Sequence, residues 1–470
     1  MSDRPLVVDL DGTLIRNDLF AEALVALACD PRHWRDLPVL LALPRAAAKA
    51  RAARLVAQSA ASLPYTAPLI DYLRAQKSAG RRLILATAAD AAQAQAVADH
   101  LDLFEEVLAS DGATNLKGPA KAAALVARFG PRGFDYVGDS RADLAVWREA
   151  AAAVLVNASA SVAARVREVT PVAHVIADRP NAMAGLWSSL RPHQWVKNLL
   201  VLVPLLTAHA YGDPLAWRGA LMTFCAFCAV ASAFYLFNDL ADLSADRAHA
   251  TKRQRALARG ALAPGMALAA AGGLFVLGLA IAWAAQVTGL VLLYGAATAS
   301  YSLRLKQLPL VDVFWLAGLY TLRLFGGGEA IGHPVSLWLL AFSSFLFLSL
   351  ALVKRVGELG AGGAGRRGYT PADGPILRTF GCASAFASCI VLAMFVQNET
   401  MRTIYASPAL LWGMVPLFLF WQCRLWLSTA RGYMHDDPIV YAARDWVSWC
   451  VGAALIALIV LARSLPLPPG

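Results

Sequence analysis

One polar stretch organises the sequence: FNDLADLSADRAHATKRQRALARG, residues 237–260. Its carboxylates, Asp239, Asp242 and Asp246, lie about one helical turn apart, so on a helix they project from one side. Asn238 begins the row, and basic residues follow it. Because long apolar runs flank the stretch, this group lies where a predicted membrane helix ends. Carboxylate oxygens are preferred ligands of Mg2+, so the pattern predicts a site for a magnesium-bound diphosphate.

The composition divides the chain into two parts. Hydrophobic residues make up 58% of the 470 residues and charged residues only 16%, which excludes an ordinary soluble protein. Repeated long apolar runs predict membrane-spanning helices, and all of them follow about residue 195. The earlier residues alternate short apolar runs with charged, Ala-rich stretches, as soluble α/β domains do. We predict a soluble domain at 1–180, an interfacial linker at 181–195 and a membrane domain at 196–470.

Charge and cysteine content exclude further classes. The start of the chain, MSDRPLVVDLDGTL, lacks a basic segment followed by an apolar one, so we expect no cleaved signal peptide and a cytoplasmic first domain. The seven cysteines are scattered and predict no disulfide framework. A net charge of +10 could indicate nucleic-acid binding, but the basic residues concentrate at the ends of predicted helices. The positive-inside rule explains them better, so no nucleic-acid partner is expected.

Two carboxylates follow the first predicted strand. Asp9 and Asp11 come directly after the apolar run from Pro5 to Val8. A carboxylate at the C-terminal end of a strand, with a second one two residues later, supplies a nucleophile and an acid/base group around one phosphate. Further along the chain come Thr87 at a second strand end, then NLKG, and then YVGDS with an aspartate at 143.

These four motifs, spread over about 150 residues, resemble the haloacid dehalogenase (HAD) superfamily of phosphohydrolases. The resemblance implies that Asp9 attacks phosphorus, while Asp11 protonates the leaving oxygen and later activates water. It implies that Thr87 binds the phosphoryl oxygens and that Lys117 neutralises the developing charge. Lys121 is an alternative for the lysine role, although its spacing fits less well.

The same resemblance implies a metal site and a cap. Asp139 and Asp143, together with Asp9, are implied to hold Mg2+. The helical insert at about 17–80 is implied to cover the site and to set the substrate size. The alternative is a HAD-like fold retained as a scaffold without catalysis.

The linker before the first apolar run is polar and aromatic. Residues 188–198 read SSLRPHQWVKN. Trp195, with Arg191 and Lys197, fits an anchor at the cytoplasmic membrane interface, and a phosphate-binding role is the alternative.

The membrane domain is predicted to contain about nine transmembrane helices, or eight if the third and fourth runs merge. The loops after runs two, four, six and eight carry most of the lysines and arginines, so they are predicted to face the cytoplasm. This topology describes a multi-pass protein of the inner, cytoplasmic membrane. The apolar runs are 196–212, 216–237, 264–284, 287–303, 309–328, 335–353, 377–397, 408–428 and 445–463.

Ionisable residues cluster on the same side. Charges within or at the ends of membrane helices are costly and usually face a cavity, so we expect one polar cytoplasmic cavity that opens to the lipid. The residues concerned, besides the opening stretch, are Tyr301, Ser302, Arg304, Lys306, Asp312, Arg323, Lys354, Arg355 and Glu358.

NDxxDxxxD beside such a cavity resembles the UbiA superfamily of intramembrane prenyltransferases. The match is closer to one branch, the polyprenyl-phosphate (decaprenyl-phosphate) phosphoribosyltransferases. Four stretches within residues 191–360 carry it: RPHQWVKNLL, the opening stretch, YSLRLKQLPLVDV and ALVKRVGEL. The region with Asp436, Asp437 and Pro438 matches more loosely.

The resemblance implies a set of roles for individual residues. Asn238, Asp239, Asp242 and Asp246 are implied to bind Mg2+ and the diphosphate, with Asp239 and Asp242 central to catalysis. The implied substrate-binding set is Lys197, Asn198, Asn238, Lys252, Arg253, Arg255, Tyr301, Lys306, Arg323, Lys354 and Arg355. The loop departs from the family pattern HPxKxxRP, because Ala250 and Ala256 stand at both proline positions. It is therefore less stiff than the family pattern.

The charge pattern distinguishes the possible substrates. Allyl diphosphate transfer to an aromatic ring uses two metal-binding aspartate clusters, whereas the second cluster here is reduced to Asp312 and cations are abundant. A phosphoribosyl pyrophosphate donor and a lipid phosphate acceptor bring three anionic groups, which need more Arg and Lys.

We therefore expect a bifunctional enzyme that depends on Mg2+ in each domain. Its transferase is expected to make a polyprenyl-phosphoryl-5-phosphoribose, and its phosphatase to remove the 5-phosphate. The alternatives are a prenyl-diphosphate transferase with a separate phosphatase, and a lipid or phosphate transporter with a regulatory HAD domain. Lipid chain length, the final glycolipid and oligomeric state are left open by the sequence.

Overall fold

The computed structural model describes residues 4–56, 58–360, 368–434 and 437–465. It contains two compact units, each built from two parts of the chain. The first comprises Met1–Leu190 and Tyr235–Gly272, and the second comprises Arg191–Phe234 and Gly273–Gly470. Residues 237–260, called the aspartate-rich segment below, therefore pack within the first unit. The sequence prediction had assigned them to the membrane domain.

A parallel sheet of six strands forms the centre of the first unit, in the order β3-β2-β1-β4-β5-β6. The central strands are short runs of Val, Leu and Ile that are buried on both faces, as a parallel sheet covered by helices requires. This arrangement confirms the predicted Rossmann-like α/β fold. The strands are β1 (Leu6–Val8), β2 (Leu83–Asp90), β3 (Glu106–Ser110), β4 (Asp135–Gly138), β5 (Ala153–Val156) and β6 (Val172–Ile176).

In the described part of the chain up to residue 190, nine α-helices accompany the sheet. They are α1 (Leu19–Cys29), α2 (Asp36–Ala42), α3 (Arg45–Leu55), α4 (Ala67–Ser78), α5 (Ala91–Leu101), α6 (Pro119–Phe129), α7 (Leu144–Glu149), α8 (Ala160–Val169) and α9 (Ala182–Leu190).

The cap is shorter than the predicted insert. Helices α1 to α3 share a small apolar core of their own, which includes Leu27, Leu40 and Ala52. Helix α4 instead packs against the main core of the sheet through Leu69 and Leu73. A helix between two neighbouring parallel strands must cross the sheet face, so α4 belongs to the α/β fold and the cap ends before it.

The second unit is helical. Its elements are the 3-10 helix Pro192–Leu202, α10 (Val203–Thr207), most of α11 (Pro214–Ala241), the later part of α13 (Pro264–Ala284), α14 (Thr288–Leu303), α15 (Val311–Ala330), α16 (Leu337–Gly360), α17 (Gly374–Val396), α18 (Glu399–Ile404), α19 (Met414–Ala430), α20 (Pro438–Arg444) and α21 (Trp446–Ser464). Helix α12 (Leu243–Ala248) lies in the first unit.

Within the described residues, six helices are long and apolar enough to cross a membrane, compared with about nine predicted. They are Pro214–Ala241, Pro264–Ala284, Leu337–Gly360, Pro371–Val396, Pro408–Ala430 and Trp446–Ser464. The predicted first span is divided into a 3-10 helix and the short helix α10. Helix α14 has only 16 residues, and α15 carries buried charges at Asp312 and Arg323, which lower its hydropathy.

Candidate active sites

Three carboxylates meet at the carboxyl edge of the sheet. Asp9 follows β1, and Asp139 follows β4, which pairs in parallel with β1. Oxygen atoms of Asp9, Asp139 and Asp143 all lie within 4.8 Å of one another. Gly12 has a φ of 78°, and a Cβ there would lie 2.6 Å from Asp139 Oδ2, so only glycine fits. The DLDGT motif thus brings two strand ends close enough to share a ligand.

The acidic site, as we call Asp9, Asp139 and Asp143, carries more negative charge than its surroundings neutralise. Burial, opposed by Lys121 and reinforced by Asp143, raises the pKa of Asp9 to about 6. Burial and the neighbouring Asp143 raise the pKa of Asp139 to about 7. A divalent cation would favour the ionised forms of these groups, so the oxygen donors fit such an ion.

The lysine of this site is Lys121, and not Lys117 as the sequence predicted. Lys121 Nζ lies 2.7 Å from Asp9 Oδ1 and donates to the Tyr136 hydroxyl at 3.0 Å. Tyr136 in turn donates to Asp143 Oδ1 at 2.8 Å. Lys117 is exposed and precedes Gly118, the N-cap residue of helix α6. Lys121 lies one turn further along and points into the site.

Asp11 and Thr87, both predicted from the sequence, lie near the acidic site. Asp11 accepts a hydrogen bond from the backbone N–H of Leu19 at 2.9 Å, and burial with nearby Asp18 raises its pKa to about 7. Thr87 is buried in β2, where its hydroxyl accepts from Ala89 N–H at 3.0 Å.

Lys49, on cap helix α3, was not predicted. Its Nζ donates to the Ala88 carbonyl at 2.6 Å and lies within electrostatic range of Asp11. Its one sequence signal is a lysine within an Ala-rich helix.

The aspartate-rich segment spans a helix junction. Asn238 and Asp239 lie in the last turn of α11, Asp242 lies at the junction, and Asp246 lies in α12. The helical hydrogen-bond register continues through the junction, since Asp242 N–H bonds to Asn238 O at 2.9 Å and Asp246 N–H to Asp242 O at 2.8 Å. The expected helical spacing is therefore present despite the change of helix.

Arg255 joins two of these carboxylates. Its Nη1 lies 3.1 Å from Asp239 Oδ1 and 2.6 Å from Asp246 Oδ2. The other oxygen of Asp246, Oδ1, is buried without a hydrogen-bond partner, and Lys252 Nζ lies 4.0 Å from it. A buried, unpartnered carboxylate oxygen beside a second carboxylate fits a divalent cation. Arg253, also predicted to bind substrate, is exposed on the 3-10 turn Lys252–Gln254.

In the second unit, two lysines share one carboxylate. Lys197 Nζ lies 2.7 Å from Asp437 Oδ2, and Lys354 Nζ lies 3.4 Å from the same oxygen. The Tyr320 hydroxyl donates to both oxygens of Asp437 at 3.0 and 3.1 Å. Lys354 and Arg323 lie near enough to repel the Lys197 ammonium. Lys197, Arg323 and Lys354 are called the cation cluster below.

Arg323 is the most buried member, with 5% of its surface exposed. Its Nε donates to Asn198 Oδ1 at 2.8 Å, its Nη2 to the Tyr294 hydroxyl at 3.0 Å, and its Nη1 to the Leu319 carbonyl at 2.5 Å. All of these partners are neutral. Within the part of the chain that the structure describes, the cluster therefore holds three cations against the single carboxylate of Asp437. Such an excess of buried positive charge favours an anionic ligand.

Arg355, predicted to bind substrate, is instead neutralised inside the protein. It is 1% exposed and forms ion pairs with Asp312 and Glu358. Tyr369 donates to Asp312 Oδ1 at 2.5 Å, and Tyr301 also interacts with Arg355. We therefore assign Arg355 and Tyr301 to an internal network. Lys306 lies half-buried in the 3-10 turn Leu305–Gln307.

The sequence prediction missed the partners of the cations. Asp437 belongs to the loosely matching region, and its one local signal is a DDP triplet before an apolar helix. Asp436, beside it, lies outside the described residues. Tyr294 and Tyr320 occupy apolar helices, where nothing in the local pattern separates them from core residues.

Comparison with known proteins assigns the family. Residues 199–428 match the UbiA prenyltransferase family, and residues 6–148 match the haloacid dehalogenase-like hydrolases. The uncharacterized protein y4nM of Sinorhizobium fredii is 38% identical over 482 residues, which cover 97% of this chain and 91% of the relative. The chain belongs to the UbiA prenyltransferase family. It carries a HAD-like hydrolase domain at its N-terminus, as the motifs predicted.

Two shorter relatives match the UbiA part. Nodulation protein NoeC of Azorhizobium caulinodans is 32% identical over 290 residues, covering 58% of this chain and 90% of the relative. The decaprenyl-phosphate phosphoribosyltransferase of Mycobacterium tuberculosis is 30% identical over 289 residues, covering 59% of this chain and 94% of the relative. Two enzyme families are therefore fused in one chain.

Proposed function

We propose that the UbiA part transfers 5-phosphoribose from phosphoribosyl pyrophosphate to a polyprenyl phosphate, and that the HAD part removes the 5-phosphate. The observation that carries the proposal is the cation cluster, in which Lys197 and the half-buried Lys354 share the carboxylate of Asp437 while the buried Arg323 bonds only to neutral groups. A lipid phosphate and a sugar phosphate supply the missing negative charge. The name of the Mycobacterium tuberculosis relative supports the same substrate class.

In the transfer step, a phosphate oxygen of the lipid attacks C1 of the ribose. The bond from C1 to the diphosphate oxygen breaks, the bond from C1 to the lipid phosphate oxygen forms, and pyrophosphate leaves. Asn238, Asp239, Asp242 and Asp246 would hold Mg2+ with the donor diphosphate. A bound cation of this kind neutralises the leaving pyrophosphate. Lys252 and Arg253 would contact phosphate oxygens from the loop.

The cation cluster would bind the phosphate of the acceptor. Arg323 is held by Asn198 and Tyr294, so its guanidinium is already oriented before a ligand arrives. Lys197 and Lys354 are both tied to Asp437, which fixes their ammonium groups. Preorganised cations of this kind stabilise charge without reorganising during the reaction.

In the hydrolysis step, Asp9 attacks the phosphorus of the 5-phosphate. The ester bond to the ribose oxygen breaks, and Asp11 protonates that oxygen. The raised pKa of Asp11, about 7, keeps a proton available near neutral pH. Lys121 stabilises the charge on the transferred phosphoryl group, and Asp11 then accepts a proton from the water that releases phosphate. Asp9, Asp139 and Asp143 would hold Mg2+.

A second candidate is the transfer of a prenyl diphosphate to an aromatic or other acceptor, with the phosphatase acting on a separate substrate. The UbiA family match favours it, because the aspartate-rich segment fits any diphosphate. It leaves the excess of cations in the second unit unexplained.

The test supplies purified protein with Mg2+ and two substrate pairs. Radiolabelled phosphoribosyl pyrophosphate with a polyprenyl phosphate should give a labelled lipid, and D239N should abolish the labelling. A prenyl diphosphate with an aromatic acceptor should give no product. Turnover of the second pair alone would favour the second candidate instead.

A further inference from the structure

A buried ion pair joins the cap to the aspartate-rich segment inside the first unit. Glu22 on α1 accepts from Arg247 on α12 through both oxygens, with distances of 2.5 and 2.9 Å. The two side chains are only 3% and 6% exposed. Paired, parallel hydrogen bonds between a guanidinium and a carboxylate fix both distance and orientation. The pair therefore specifies how α12 lies against the cap.

Glu22 and Arg247 each form a further hydrogen bond to another group. Asn17 Nδ2 donates to Glu22 Oε1 at 2.6 Å, and Arg247 Nε donates to the Ala258 carbonyl at 3.1 Å. Arg247 thus ties α12 to the end of the segment as well as to the cap. Neither side chain can rotate away without losing bonds in a site from which water is excluded.

A second contact holds the same segment on the HAD fold. Arg16 Nη1 donates to the Arg259 carbonyl at 3.1 Å, and Arg16 also pairs with Asp178 at 2.5 Å. Gly260, with a φ of 71°, lies so close that a Cβ there would be 2.9 Å from Arg16 Cβ and 3.1 Å from Pro64 Cβ. The chain therefore packs tightly on the residues that follow the DLDGT motif.

Helix α1 also contacts Asp11, which lies two residues after Asp9 of the acidic site. The N–H of Leu19, its first residue, bonds to Asp11, and Glu22 lies one helical turn later. Arg247 lies in the last turn of α12, immediately after Asp246, and Asp246 forms an ion pair with Arg255. Helix α1 thus contacts both Asp11, the proposed acid of the phosphatase, and Arg247, which is adjacent to the proposed metal ligand Asp246.

We propose that Glu22 and Arg247 are positioning residues for the transferase, through which the HAD-like domain holds the aspartate-rich segment in the conformation that binds the donor. The proposal rests on the proposed function of that segment. It goes beyond that function because it makes transfer depend on the fold of the phosphatase domain. A fused phosphatase then serves as a structural part of the transferase in addition to its own reaction.

The experiment compares full-length variants in lipid nanodiscs. R247M and E22Q each remove one partner, R247K keeps the charge but loses the paired geometry, and E22Q/R247M completes a double-mutant cycle. The matched control is R259M, which removes an exposed arginine from the same segment. Transfer is measured with phosphoribosyl pyrophosphate and a polyprenyl phosphate, and phosphatase activity with p-nitrophenyl phosphate.

We expect R247M and E22Q to raise KM for phosphoribosyl pyrophosphate by about tenfold, with a smaller effect on kcat. The KM of the double variant should exceed that of R247M by no more than about twofold, because the two residues act as one unit. R247K should retain part of the activity. The KM of R259M for phosphoribosyl pyrophosphate should stay within about twofold of the wild-type value. The phosphatase activity of R247M should also stay within about twofold of wild type.

Hydrogen exchange of residues 243–260 supplies a readout that is independent of turnover. E22Q and R247M should speed exchange there, and R259M should not. An active wild type with unchanged KM in R247M and E22Q would overturn the positioning role. An inactive wild type would instead refute the proposed function, and unchanged exchange in E22Q would then overturn the positioning role as well. Loss of phosphatase activity in R247M would mark general misfolding and would equally contradict a specific role.

Discussion

The acidic site of the first unit and the cation cluster of the second unit are both buried groups of charge, but their imbalances have opposite signs. Asp9, Asp139 and Asp143 have one lysine among them, Lys121. Among the described residues, the cation cluster has three cations and one carboxylate, Asp437. Because buried charge is costly unless it is neutralised, the missing charge indicates the ligand. The charge imbalance of the first site fits a cation, and that of the second site fits an anion.

The difference also shows how each site is preorganised. Around the acidic site, strand ends and a glycine with positive φ bring carboxylates together. In the cation cluster, neutral groups such as Asn198 and Tyr294 orient Arg323 without cancelling its charge. Arg355 shows the contrast, since its ion pairs with Asp312 and Glu358 neutralise its charge inside the protein.

Removal of the proposed nucleophile, Asp9, gives the largest expected effect. D9N should lower phosphatase turnover by about a thousandfold or more, because a neutral amide cannot attack phosphorus. Hydrolysis of p-nitrophenyl phosphate by the purified protein measures it. Retention of wild-type turnover would show that the acidic site is not the phosphatase centre.

The choice between two lysines gives the next largest effect. K121M should lower phosphatase kcat by about a hundredfold, because it removes the only ammonium bonded to Asp9 in the described structure. K117M is the matched control and should stay within about twofold, since Lys117 is exposed. The reverse order would restore the assignment that the motif spacing predicted.

The cation cluster is tested by its most buried member. R323Q should lower kcat/KM for lipid labelling by about tenfold or more, because the amide keeps some hydrogen bonds but not the charge. R378Q removes an exposed arginine of the same unit and should have little effect. Equal loss in both variants would mean that surface charge, and not the cluster, determines activity.

The repulsion within the acidic site gives the smallest effect. In a chelator, D139N should raise the unfolding temperature of the first unit by about 2–4 °C, because it removes the half-buried member of three mutually repelling carboxylates. Added Mg2+ should stabilise the wild type more than D139N. Calorimetry or fluorescence of the purified protein measures both, and a lower unfolding temperature for D139N in chelator would contradict the charge imbalance.

Local sequence could predict those site residues whose positions follow directly from a motif at the end of a strand. The resemblance to the HAD motifs implied that Asp9 and Asp139 share a metal, and the structure places both at the carboxyl edge of two neighbouring parallel strands. The choice between Lys117 and Lys121 was not predictable, since it depends on where α6 begins after Gly118, which has a φ of 55°.

Contacts between distant parts of the chain were also beyond local sequence reasoning. Glu22 and Arg247 are 225 residues apart, and Lys197 reaches Asp437 from the other end of the helical part. The form of the first predicted span was also not predictable, because apolar content does not reveal the 3-10 helix at Pro192–Leu202 or the short helix α10 that follows it.

The most direct test of two linked reactions is the mass of the lipid product. Purified wild-type protein with phosphoribosyl pyrophosphate, a polyprenyl phosphate and Mg2+ should yield polyprenyl-phosphoryl-ribose. D9N should instead accumulate the product that is heavier by one phosphate group, polyprenyl-phosphoryl-5-phosphoribose. If both proteins gave the same lipid, the HAD part would not act on the transferase product. If neither protein gave a ribose-containing lipid, the proposed transfer of phosphoribose would be contradicted.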